Sequence, residues 1–161
     1  MLYKIRRAEV RDLLPIYHFI CILEETNFTF LIFKSIFEAN IKHADYYYLV
    51  AEHGKGNIVG FISCHTQKLL HHCGKVAEIQ ELFVEKKHRK AGIGRQLVQT
   101  LENTLKVKSC ILFEVTAQKK RLGVHRFYES TGFKSSHKKF VKELEENGGV
   151  IKISYALKQL Q

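Results

Sequence analysis

Apolar positions recur along this chain with two periods, and the switches between them lay out its elements. Tyr3–Arg7 reads as a short strand. Leu13, Leu14, Tyr17, Ile20 and Cys21 follow at helical spacing, with the single proline, Pro15, in the first turns of that helix or kinking it. Asn27–Ile41 continues as a second, aromatic-rich helical region, whose Phe28–Phe37 part either packs inside or forms a dimer face. The period then drops to two: Tyr46–Glu52 and Ile58–His65 are strands joined by a Gly54–Asn57 hairpin turn, and Lys75–Val84 is a third. Ile93, Leu97, Val98, Leu101 and Leu105 draw the apolar stripe of an amphipathic helix. Ser109–Val115 is a buried-type strand, and Lys120–Ser130 is a short helix stopped by Gly132. Phe133–Phe140 and Val150–Leu157 read as a closing pair of strands. The order β-α-α-β-β-β-α-β-α-β-β predicts a mixed α/β (α+β) domain spanning 1–161.

Composition narrows the class. Among 161 residues, 45% are hydrophobic and 26% charged, the balance of a soluble globular protein. No apolar run reaches membrane-spanning length, and no apolar h-region follows the first basic residues, so a cytoplasmic location without membrane partners is the expectation. The four cysteines form no C-x-x-C and read as free thiols, with Cys21 and Cys110 in apolar runs as core residues. The net charge of +10 suits a nucleic acid, a membrane surface or a small polyanion. It is spread along the chain with no helix-turn-helix, zinc-finger or RNA-recognition signature, which disfavours nucleic acid.

Chemistry concentrates at residues 85–97, EKKHRKAGIGRQL. Basic side chains, two glycines and a helix start meet there. Free N–H groups at a helix N-terminus bind phosphate, and glycine lets the oxygens approach. Arg89 and Arg95 can add charge-assisted bonds. The spacing fits neither the P-loop nor the dinucleotide fingerprint. Upstream, Glu78 and Glu81 stand three apart, so a regular strand would turn them to opposite faces, one into a cleft as a candidate base. Cys64-His65 and His71-His72-Cys73 lack the spacing of a metal motif.

Arg89-Lys-Ala-Gly92-Ile-Gly94, after an apolar strand ending Leu82-Phe-Val84, resembles the pyrophosphate loop of the GNAT superfamily of N-acetyltransferases. Phe127-Tyr128…Gly132-Phe133 resembles its helix-to-strand element. The resemblance implies a mostly antiparallel sheet of about seven strands with about four helices. It implies acetyl-CoA held by Leu82, Phe83, Val84 and the loop Arg89, Lys90, Ala91, Gly92, Ile93, Gly94 and Arg95, with Arg121 as a further candidate phosphate contact. It assigns Tyr128 as general acid and Phe83 or Val84 N–H as the carbonyl polariser, leaving Glu78 and Glu81 as candidate bases.

A narrower resemblance rests on Leu70-His-His72, Glu78-Ile-Gln-Glu-Leu82, His125-Arg-Phe-Tyr128 and Ser136-His137, supported by Ile20-Cys21, Phe28, Phe33, Phe37 and Ala39-Asn40. These are similar to the aminoalkylphosphonate N-acetyltransferases. That implies a small phosphonate-bearing amine as acceptor, with His65, His72 and His137 as candidate substrate residues. It also implies help from a divalent metal, with His72 and Glu78 as candidate ligands. The wider family's habit points to a homodimer. An aminoglycoside, a polyamine or a protein amine stays open as acceptor, as does a non-catalytic CoA-binding module.

Overall fold

The computed structural model describes residues 3–54, 56–118, 122–142 and 144. One five-stranded sheet runs through them in the order β1-β2-β3-β4-β5. The strands are β1 (Tyr3–Arg7), β2 (Tyr46–His53), β3 (Asn57–Leu69), β4 (Gly74–Val84) and β5 (Cys110–Val115). β1 to β4 pair antiparallel, and β5 joins β4 in parallel after a helical crossover. The four helices are α1 (Leu13–Glu24), α2 (Phe30–Asn40), α3 (Ile93–Val107) and α4 (Leu122–Ser130).

The mixed α/β class holds, with fewer strands than the seven expected. Phe133–Phe140 carries no regular strand, and Val150–Leu157 lies outside the described residues. The hairpin β3–β4 is longer than its apolar pattern suggested, because polar Thr66–Lys68 stay in the ladder opposite Lys75–Ala77. Pro15 sits in the first turn of α1, two residues after its start at Leu13, where no N–H is required.

Helices cover both faces of the sheet. On one face Ile93, Leu97, Val98, Leu101 and Leu105 of α3 bury against Ala51, Ile62, Cys64 and Ile79, joined by Tyr128 of α4. Each such side chain contributes about 1.5–3 kcal/mol relative to exposure. On the other face α1 and α2 close over Tyr48, Val50, Phe61 and Phe83, with Phe19 stacked on Phe83 at 4.7 Å. The aromatics of this region turn inward: Phe37 of α2 is buried, and Phe30 and Phe33 of α2 and Phe28 just before it are half-buried, while Leu31, Ile32 and Ile36 are exposed. All four cysteines are free; Cys64 is the buried one, whereas Cys21 and Cys110 are half-buried.

Candidate active site

β4 and β5 pair from Lys75↔Cys110 to Ile79↔Val115 and then part. β4 runs on to Val84, paired with β3 on one side only. Among the described strands this leaves Gln80–Val84 without a partner on the β5 side, a gap in the sheet. Leu82, Phe83 and Val84 lie in this stretch of β4.

On the α3 face, the chain after β4 makes a short 3-10 turn, Lys86–His88, and a loop into α3. Gly92 caps the helix at φ +81, a left-handed conformation that costs a side-chain-bearing residue about 1 kcal/mol or more. Gly94 serves a different need: a Cβ there would lie 3.3 Å from the Phe127 ring, so its bare backbone lets α4 pack against α3. The N–H groups of Ile93, Gly94 and Arg95 fall in the first turn, which has no intrahelical acceptors. Arg89 Nε donates to the Val84 carbonyl at 2.9 Å, and its guanidinium lies 5.8 Å from the Phe83 ring centre. Arg95 donates to the Ser130 carbonyl and hydroxyl at 3.0 and 3.2 Å, which ties the start of α3 to the end of α4. Lys90 and Ala91 are exposed in the loop, and Arg121 lies outside the described residues.

Tyr128 owes its position to a helix-end staple. Phe133 N–H donates to the Tyr128 carbonyl at 3.1 Å and Gly132 N–H to Glu129 at 3.0 Å, with Gly132 at φ +95. These are the two bonds of a Schellman motif, which brings the residue after the glycine back onto the helix. The Phe133 ring accordingly meets Tyr128 edge-on at 5.5 Å. Burial pushes the Tyr128 hydroxyl up to about 12, so it stays protonated at neutral pH.

On the α1/α2 face lies a cleft of about 150 Å³ whose walls include Phe33, Phe37, Asn40, Tyr48, His65 and Glu81. Glu81 accepts a hydrogen bond from Ser63 Oγ, which in turn accepts from Glu81 N–H at 3.1 Å. Burial holds the Glu81 carboxyl above the usual range, opposed by the Ser63 bond. Tyr48 Oη lies 3.4 Å from His65 Nε2 and accepts from Asn40 Nδ2 at 2.8 Å. His65 stacks on Tyr46 at 3.7 Å, and burial keeps its imidazole below the ordinary value.

The expectation that Glu78 and Glu81 face opposite ways is overturned. Ser63 pairs with Glu81 but Cys64 pairs with Ile79, so Gln80 is an extra residue in β4. A bulge shifts the alternation by one. Glu78, opposite His65, therefore shares the α1/α2 face with Glu81. Glu78 accepts from Thr116 Oγ1 at 2.9 Å and pairs with Lys139 Nζ at 3.7 Å.

The metal candidates are not brought together. His72 lies in the turn Leu70–His72 beyond the end of β3, against His71. Glu78 stands about 13 Å along β4 from the turn at ~3.3 Å per residue. Among the described residues no group of three or more His, Cys, Asp or Glu is arranged to hold a metal. His137 is exposed and bonded to its neighbour Ser136 at 2.7 Å. The sequence reading missed Ser63, Tyr48 and Asn40. Ser63 left one trace, a lone hydroxyl inside the apolar run 58–64.

A parted parallel pair, a helix N-terminus on one face and a carboxylate-bearing cleft on the other are thus brought together along β4. The model of the acetyltransferase (GNAT) family matches residues 7–133, and the chain belongs to that family. It is 36% identical over 141 residues to an aminoalkylphosphonate N-acetyltransferase of Salmonella typhimurium, covering 88% of this chain and 91% of the relative. Among solved structures, a transcriptional regulator from Bacillus halodurans superposes with a TM-score of 0.81 at 26% identity, covering 88% of this chain and 99% of the other. A glucosamine-6-phosphate N-acetyltransferase from Arabidopsis thaliana superposes with a TM-score of 0.73 at 24% identity, covering 90% of this chain and all of the other (100%). The chain is thus an acetyltransferase of this family. Among the described residues no helix is long and apolar enough to cross a membrane.

Proposed function

We propose that the protein transfers the acetyl group of acetyl-CoA to the primary amine of an aminoalkylphosphonate, by direct attack in a ternary complex. The observation that carries the substrate is the 36% identity, over most of both chains, with a relative of that name. The gap in the sheet supports the reaction type.

The first-turn N–H groups of α3 and the loop from Arg89 hold the pyrophosphate of CoA. The thioester enters the gap beside Gln80–Val84. Glu81 and Glu85 aim their N–H groups at β3, so alternation turns that of Val84, not of Phe83, to the unpaired side, where it polarises the carbonyl. The amine enters from the α1/α2 cleft. Glu81 takes its proton as general base; of the two candidate carboxylates it is the one that lines the cleft, while Glu78 is tied to Thr116 and Lys139. The amine nitrogen bonds to the acetyl carbon, the C–S bond breaks, and the leaving thiolate takes the Tyr128 proton. Acid and base work from opposite faces of the sheet, so neither neutralises the other. His72 and Glu78 form no ligand set for a metal, and no step is assigned to one.

The test is thiol release from acetyl-CoA with aminomethylphosphonate, 2-aminoethylphosphonate, spermidine and an aminoglycoside. Turnover with the phosphonates is expected. Turnover confined to the polycations would retain the reaction and reject the substrate. Acetyl-CoA binding with no turnover on any amine would reject the enzymatic reading.

A further inference from the structure

A phosphonate needs a cation, and among the described residues no lysine or arginine lines the cleft: its polar walls are Asn40, Tyr48, His65, Gln80 and Glu81. Lys75 of β4 does not help. It alternates to the α3 face with Ala77 and Ile79 and is tied to Asp45 at 2.5 Å. Lys139 reaches this face beside Glu78, with its ammonium 3.7 Å from that carboxylate, whereas Arg6, also on this face, is tied to Asp12 and Glu52. Glu78 stands directly opposite His65, a wall of the cleft, at a cross-strand Cβ spacing of about 5 Å. From Glu81 to Glu78 the bulged strand advances about two residue steps, or ~7 Å. A short zwitterionic amine can therefore bridge the two ends, with its ammonium at Glu81 and its phosphonate at Lys139.

We propose that Lys139 binds the acceptor's phosphonate and sets the preference for anionic over neutral amines. The proposal rests on the aminoalkylphosphonate reading above. In the unliganded protein Glu78, itself held by Thr116 and opposite His65 in the ladder, keeps the Lys139 side chain on the cleft's side of β4. Lys139 is 59% exposed, so it exchanges this weak partner for a better one at little cost.

The test compares kcat/KM for 2-aminoethylphosphonate with that for n-propylamine, a neutral-bodied amine of similar length. The full chain is used as wild type, Lys139→Ala, Lys139→Arg and Lys138→Ala, the last at an exposed neighbouring position. Lys139→Ala should lower the phosphonate-to-propylamine ratio about tenfold, the size of one charge-assisted contact. Lys139→Arg should keep most of the ratio, and Lys138→Ala should match wild type. An unchanged ratio in Lys139→Ala, or equal losses with both amines, would overturn the proposal. A wild-type enzyme that turns over propylamine but no phosphonate would instead overturn the substrate reading beneath it, and the role of Lys139 with it.

Discussion

The two faces of the sheet are built by different means. The α3/α4 face is made of backbone and local sequence: a glycine cap at Gly92, a helix stripe, and a Schellman turn that folds Phe133 onto Tyr128. The α1/α2 face is made of side chains from distant elements. Glu81, Ser63, His65, Tyr48 and Asn40 meet only because β2, β3, β4 and α2 converge, and Glu78 joins their face only because Gln80 bulges. On the proposed reading the first face holds acetyl-CoA, the ligand common to the family. The second can vary, because changing one side chain there leaves the helix caps and the core stripe alone.

The contrast predicts that stability is concentrated on the first face and rate on the second. Leu101 is fully buried in the α3 stripe, so Leu101→Ala should cost about 3 kcal/mol in denaturant unfolding. A loss below about 1 kcal/mol would show that α3 does not anchor the core. On the other face, Glu81→Gln should lower kcat/KM about 100-fold with the fold intact. Its pH profile offers a second readout. Wild-type rate should rise as Glu81 ionises, above the ordinary carboxyl range, and this limb should vanish in Glu81→Gln. A limb that persists in the variant assigns the base elsewhere.

Glu81 also carries a stability signature of opposite sign to an ion-paired carboxylate. Its folded pKa is raised, so the folded state holds the proton more tightly than the unfolded chain. Stability should therefore fall as pH rises from the ordinary carboxyl value through the raised one. Glu81→Gln should be at least as stable as wild type at pH 7, with the difference closing in acid. Lower stability at pH 7 would mean that the carboxylate is stabilised by groups beyond Ser63.

Smaller effects test whether the faces cooperate. Tyr128→Phe should reduce kcat about tenfold or more, with KM for acetyl-CoA little changed, since its ring packing against Phe133 is retained. An unaffected kcat would remove Tyr128 as the acid. Gly92→Ala has space for its methyl, so only the positive φ opposes it, at about 1 kcal/mol. That strain should appear as a several-fold higher KM for acetyl-CoA, with the amine KM unmoved. Equal shifts in both would show that the loop also shapes the acceptor cleft.

Most of the first face was determined by the sequence alone. The α3 stripe, the glycine loop at a helix start and the Phe-Tyr…Gly-Phe element are local patterns, and their physical causes act within a few residues. Helix period, caps and staples need no distant partner. The acceptor face was decided by the tertiary structure. Alternation predicted opposite faces for Glu78 and Glu81, and a single unpaired residue in β4 reversed that outcome. His65 and His72 looked like one cluster in the chain, yet the long β3–β4 hairpin carries His72 away to its tip. Strand register, bulges and hairpin length arise from pairing between segments. No local period encodes them, so which carboxylate meets which imidazole becomes visible only once the sheet is assembled.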